Sequence, residues 1–142
     1  MNAATVLAEK PEYRPTEDEE FMNERQLEYF KQKLLNWKEE ILRESQQTLT
    51  HLQSETENHP DLADRASSET DRALELRTRD RQRKLISKID EALRRIEDGS
   101  YGYCEETGEP IGVARLEARP IATLSLEAQE RHERRERVHR DD

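Results

Sequence analysis

The chain contains one cysteine, four glycines, few aromatic residues and no apolar run near the ~18–20 residues that a membrane span needs. A single thiol excludes an internal disulfide and fits a reducing compartment. With aromatics at 5% and all hydrophobic residues at 32%, a thick globular core is excluded as well. Cations are the minority charge. The 24 Lys and Arg face 33 Asp and Glu, for a net charge of −9. That balance argues against a free-standing, sequence-specific DNA or RNA binder, whose affinity comes mainly from Lys and Arg on phosphates, and a basic partner surface suits it better. The opening MNAATVLAEKPEYRP has a short apolar patch with no basic region before it, so it does not read as a signal peptide. These absences describe a soluble, cytoplasmic protein without a membrane segment.

What is present is charge, at 40% of residues, and apolar periodicity. Residues 1 to 15 hold two of the five prolines and read as a tail. Thr16 with Glu19 has capping-box spacing, which would start a helix there. From about 17 to 57 there is neither Gly nor Pro, and Leu27, Phe30, Leu34, Trp37 and Ile41 recur at spacings of 3, 4, 3 and 4. That is a heptad seam. Leu42, Leu49 and Leu52 continue it in a shifted phase. Pro60 then breaks the pattern, because its ring and missing N–H exclude a helix interior. A second helix is expected from about 65 to 97, with Asp64 as its cap and a stripe of Leu74, Leu85, Ile89, Ala92 and Ile96. Gly99 is its expected left-handed stop. Two long helices joined by a short turn must pair antiparallel to bury their seams. About 30 paired residues at 1.5 Å each give an arm on the order of 45 Å long. Around Gly108-Glu109-Pro110, Tyr101, Tyr103, Ile111 and Val113 read as a short β-hairpin or knuckle. A last helix begins near Ser125 and carries RHERRERVHR.

The expected fold is therefore mainly α. Residues 23–98 form a coiled-coil hairpin with its tip near 58–66, and residues 99–142 a small globular domain with a C-terminal helix.

Three features carry possible chemistry. At the hairpin turn, HPDLADRA sets Asp61 and Asp64 three residues apart, able to contact a basic surface or Mg²⁺, or simply to cap a turn. RTRDRQRK, Arg77 to Lys84, is a basic run in an acidic chain, fit for an anion or a protein surface, or a solvated helix face. Cys104-x-x-Thr107 and Ser125-x-x-Ala128 have the spacing of two Cys-x-x-Cys pairs, seventeen residues apart, with three of the four thiolates missing. A tetrahedral zinc site needs those thiolates. His132 and His139 nearby make a poor substitute set. No metal is expected, and Cys104 is expected to be a small buried residue. No nucleophile–base set or phosphate loop supports an enzyme.

Together FMNERQLEYF, HPDLADRA, LELRTRDRQRKLISKI, EDGSYGYC and IGVARLEARPIATL resemble the DksA-type family of RNA polymerase-binding transcription factors (the TraR/DksA zinc-finger family) over almost the whole chain. The resemblance implies a non-catalytic regulator, monomeric, whose N-terminal segment, residues 1–22, packs with the globular domain and whose coiled-coil arm enters the secondary channel of RNA polymerase. Its acidic tip, an Asp-x-x-Asp-x-Ala motif falling here on Asp61, Asp64 and Ala66, would act near the polymerase active site and destabilise open complexes at ribosomal-RNA and amino-acid promoters. Arg77 and Arg81 match arm arginines that contact polymerase. The effector implied is guanosine tetraphosphate (ppGpp), the stringent-response nucleotide, bound between the factor and the polymerase rim. The residues that match its site are Thr78, Leu85, Lys88, Arg119 and Gln129, with Thr78 and Gln129 standing where members usually carry Asn and Lys. Against the four-cysteine members this chain is a zinc-free variant, with Cys104, Thr107, Ser125 and Ala128 at the degenerate zinc positions. The alternatives are a coiled-coil adaptor that works elsewhere, or a secondary-channel competitor without nucleotide response.

Overall fold

The computed structural model describes residues 13–57 and 62–141, and side chains over 13–51 and 68–139. Four helices are the regular elements among the described residues: α1 (Glu24–Glu57), α2 (Leu62–Asp98), α3 (Val113–Ala118) and α4 (Leu126–Asp141). The chain divides into two compact units. One comprises the chain up to Lys31 together with that from Gly99 onward, and the other is Gln32–Asp98.

The second unit is a helical hairpin. As α1 residue numbers rise, their α2 partners fall: Lys38 meets Asp90, Glu44 and Ser45 meet Gln82, and His51 meets Glu75. The two helices are therefore antiparallel. Near the Asp98 end the seam is apolar, with Leu34, Ile41, Ile89 and Ala92 all under 5% exposed. Farther along, Leu42, the first leucine of the expected shifted phase, is 49% exposed, whereas Ser45, Thr48 and Leu49 are half-buried and Glu44, the next position of the 3-4 spacing after Ile41, is exposed. The same holds on α2, where Leu74 is 53% exposed and Gln82, at 9%, takes the seam position seven residues before Ile89. The physical reason is that a heptad follows the facing helix, so a leucine one residue out of phase points sideways. Ser45 donates its hydroxyl hydrogen to Gln82 Oε1 at 2.7 Å, which satisfies the polar layer.

α2 starts at Leu62, earlier than the expected 65, so Asp64 lies in its first turn instead of capping it. It ends at Asp98, and Gly99 comes next at φ 85°, a conformation open to glycine without steric cost.

The first unit corrects the reading of the N-terminus. Thr16 and Glu19 make only half of a capping box: the Thr16 N–H and hydroxyl both donate to Glu19 Oε2, while the Glu19 N–H donates to the Thr16 backbone carbonyl and not to its hydroxyl. The residues just after Glu19, however, form a turn and not a helix. The helix starts only at Glu24, where Asn23 Oδ1 accepts from Gln26 N–H at 2.8 Å and Gln26 Oε1 accepts from Met22 N–H at 2.8 Å. Gln26 is fully buried, and its amide also donates to the Thr16 carbonyl, which ties the lead-in to the helix. Residues 13–15 are packed, not a tail. Pro15 is buried, the Tyr13 ring sits edge-on to Tyr29, and Arg25 lies 3.9 Å over the Tyr13 ring. Phe30, Tyr101, Leu116 and Ala128 are the most deeply buried apolar side chains of this unit. Gly102 is buried at φ 91°, and a Cβ there would stand 3.0 Å from Met22 side-chain atoms, so only glycine lets the lead-in approach this closely.

Candidate functional site: an emptied zinc knuckle and a basic helix flank

The expected hairpin over 101–113 is reduced to one antiparallel bridge, Tyr103 with Pro110. The Cys104 N–H donates to the Glu109 carbonyl at 2.8 Å and the Ile111 N–H to the Gly102 carbonyl at 2.7 Å. Between them the Gly108 N–H closes a turn onto the Cys104 carbonyl. Val113 does not continue a strand. It opens α3, and its burial with Leu116 reflects a helical 3-residue spacing in place of the expected alternation. The Tyr101 hydroxyl donates to the Pro120 carbonyl, and Arg115 Nε to the Leu124 carbonyl, fixing the connection that leads into α4.

Cys104 lies 3% exposed at the start of this turn. Burial alone would push its thiol up. Hydrogen bonds from the Thr107 hydroxyl and from the backbone N–H groups of Ser125, Thr107 and Glu106 outweigh that and bring it down to about 6. The other three knuckle positions offer no thiolate. Thr107 Oγ1 accepts from Glu109 N–H at 3.2 Å, and Ser125 Oγ caps α4 by accepting from Ala128 N–H at 3.2 Å. Ala128 is fully buried and presents a methyl group. Zinc needs four donors arranged as a tetrahedron. Here one is a thiol, two are neutral hydroxyls occupied by backbone, and the fourth corner is filled by carbon. Among the described residues no group of three or more His, Cys, Asp or Glu could hold a metal. The residues present do not fit zinc. His132, on α4, bonds to Glu106 in the knuckle turn, a contact between an exposed turn and a helix that nothing in the local sequence signals.

On α2 the helical period collects the basic run into flanks. Arg77, Thr78, Arg81, Leu85 and Lys88 fall within about 100° of one another at 100° per residue, along one side. Thr78 Oγ1 donates to the Leu74 carbonyl at 3.1 Å, and Arg81 Nη2 donates back to Thr78 Oγ1 at 3.4 Å. Arg77, Arg81 and Lys88 are exposed, while Thr78 and Leu85 are half-buried. Arg119 and Gln129 belong to the other unit. Arg119 is exposed just past α3, and Gln129 sits in the first turn of α4 with its amide on Glu133 Oε1 at 3.3 Å. Of the tip, Asp61 lies outside the described residues, and Asp64 and Ala66 are placed only as helical backbone.

The family model of the DnaK suppressor protein DksA, N-terminal domain, matches residues 26–96. That of the prokaryotic dksA/traR C4-type zinc finger matches residues 99–134. The RNA polymerase-binding transcription factor DksA of Caulobacter vibrioides (strain NA1000 / CB15N) is 85% identical over 142 residues, the full length of both chains. The chain belongs to the DksA family. The DksA of Salmonella typhimurium is 47% identical over 125 residues, covering 88% of this chain and 83% of that one. In structure, transcription factor DksA2 from Pseudomonas aeruginosa aligns over 96% of this chain and 99% of its own, with a TM-score of 0.79 and 42% identity. A C4-type family model thus covers a knuckle in which this chain carries a single cysteine.

Proposed function

We propose that the protein is an RNA polymerase-binding transcription regulator that works without zinc. The observation that carries this reading is the full-length, 85% identity to a DksA described as RNA polymerase-binding. In this reading the α1–α2 hairpin is the arm that enters the secondary channel, with Asp61, Asp64 and Ala66 near the polymerase active site. Arg77 and Arg81 contact polymerase along the α2 flank. ppGpp acts as effector at the polymerase interface through Thr78, Leu85, Lys88, Arg119 and Gln129, coupling ribosomal-RNA and amino-acid promoters to the stringent response. The protein is cytoplasmic, monomeric and non-catalytic. Two features support it. No helix among the described residues is long and apolar enough to cross a membrane, and a net charge of −9 favours a positively lined channel over nucleic acid.

Competition tests this directly. Labelled protein bound to RNA polymerase should be displaced by another secondary-channel factor, and treatment with EDTA followed by restored Mg²⁺ should leave binding unchanged. Binding that such a factor does not displace would favour an adaptor acting elsewhere on polymerase. Loss on chelation would mean a metal is needed after all.

A further inference from the structure

A zinc ion in a knuckle of this frame fastens a turn to the start of a helix, because the ligand positions lie two on each side, here Cys104 and Thr107 against Ser125 and Ala128. This chain, whose residues do not fit zinc, joins the same two segments by other contacts. The Glu105 N–H donates to the Thr123 carbonyl at 2.9 Å, and the Ser125 N–H bonds to the Cys104 sulfur. Both reach only the chain ahead of α4, which begins at Leu126. The Glu106–His132 bond reaches into the helix itself, across 26 residues of sequence. Glu106 stands between knuckle positions 104 and 107, in the turn that the Gly108 N–H closes onto the Cys104 carbonyl. His132 comes four residues after Ala128, so the imidazole and the fully buried methyl share the side of α4 turned to the knuckle.

α4 has few other anchors. Ala128 is its one buried residue among those described, Gln129 and His132 are half-buried, and every residue from Glu133 to His139 is exposed. A helix of 16 residues is marginal in water without tertiary contacts, so the last contact along it weighs on how much of it stays seated. The His132 and Glu106 side chains are 43% and 31% exposed, which makes the bond a small part of global stability but a large part of what holds this helix. An imidazole Nε2–H donates to a carboxylate from the neutral ring as well as from the cation. Gln129 lies between Ala128 and His132, and both set its place. We propose that the Glu106–His132 bond is the tether that takes the place of zinc across the knuckle, and that through it His132 is a positioning residue for Gln129. Where α4 lifts off the turn, Gln129 leaves its place, and a ligand that reads it binds only the fraction of molecules with the helix seated. The positioning role rests on the effector reading of Gln129 given above. The tether does not.

The test compares the full-length chain with His132→Ala, with Glu106→Ala, and with the exchanged pair Glu106→His plus His132→Glu. Amide hydrogen exchange over α4 is measured, together with the ppGpp concentration that gives half-maximal effect on transcription by RNA polymerase from a ribosomal-RNA promoter. Each single variant should speed exchange over α4 about fivefold while the hairpin amides keep their wild-type rates. Each should also raise the half-maximal concentration about twofold, with the effect at saturating nucleotide retained. The exchanged pair should restore both quantities, and wild-type exchange should be the same with and without EDTA. Single variants with wild-type exchange overturn the tether, as does an exchanged pair that restores nothing. Loss of α4 protection in wild type on chelation overturns it too, since a metal then holds the helix. Faster exchange with an unmoved half-maximal concentration overturns the positioning role. A wild type with no nucleotide response overturns the effector reading and the positioning role with it, and exchange then decides the tether.

Discussion

Cys104 shows how one side chain can keep a metal-site geometry after the metal's other ligands are gone. In a zinc knuckle, backbone N–H groups of the turn stabilise thiolate charge. Here the N–H groups of Glu106, Thr107 and Ser125, with the Thr107 hydroxyl, do so alone and hold the thiol near 6. A depressed folded-state value means that the ionised form favours the native state. The stabilisation is fully present above the ordinary thiol range and is lost as pH falls through about 6. Wild type should therefore gain up to about 2 kcal/mol over Cys104→Ser between pH 6 and pH 8, read by thermal or urea unfolding at matched ionic strength. Parallel pH profiles for the two proteins would mean that the sulfur stays protonated and acts only as a packed atom. At the same scale, Ala128 and the Ser125 cap show what offsets a missing ligand: a fully buried methyl and a hydrogen bond at the start of α4.

At the scale of elements, the hairpin is held unevenly. Leu34, Ile41, Ile89 and Ala92 close one end, while Ser45 with Gln82 and His51 with Glu75 fill the seam farther along. Ile89→Ala should then cost about 2–4 kcal/mol, because a fully buried side chain leaves a cavity. Gln82→Ala should cost only about 1 kcal/mol, for the lost hydrogen bond to Ser45. Equal losses in chemical denaturation would contradict this grading. The two helices, their antiparallel pairing and the Gly99 stop are legible in the sequence, because heptads and a proline break are local signals. The phase beyond Ile41 is not. Leu42 and Leu74 draw attention by being leucine, and nothing short of the facing helix says that Ser45 and Gln82 point inward. The start of α1 is hidden for a related reason. Thr16 and Glu19 form half of a capping box without the helix, and Asn23 with Gln26, which do cap it, are less conspicuous. α3 escapes sequence reasoning because Ile111 and Val113 alternate as a strand would, and only Leu116, three residues on, marks the change to a helical spacing. In the candidate site, the basic run and the ligand-poor knuckle can be read directly, whereas the flank on which each arginine falls needs the helix boundaries.

For the whole molecule, two family models that together span most of the chain and full-length identity to a curated relative agree on membership in the DksA family of RNA polymerase-binding transcription factors. Loss of three cysteines changes what holds the knuckle together. The tip and arm residues through which the protein is proposed to act lie outside it. The most direct test of that claim is in vitro transcription from a ribosomal-RNA promoter in a zinc-free buffer, comparing wild type with Asp64→Asn, each with and without ppGpp. Wild type should repress the promoter and do so more strongly with the nucleotide, and Asp64→Asn should lose repression while still binding polymerase. Equal repression by the two proteins would contradict the tip assignment and, with it, the account of how this chain acts.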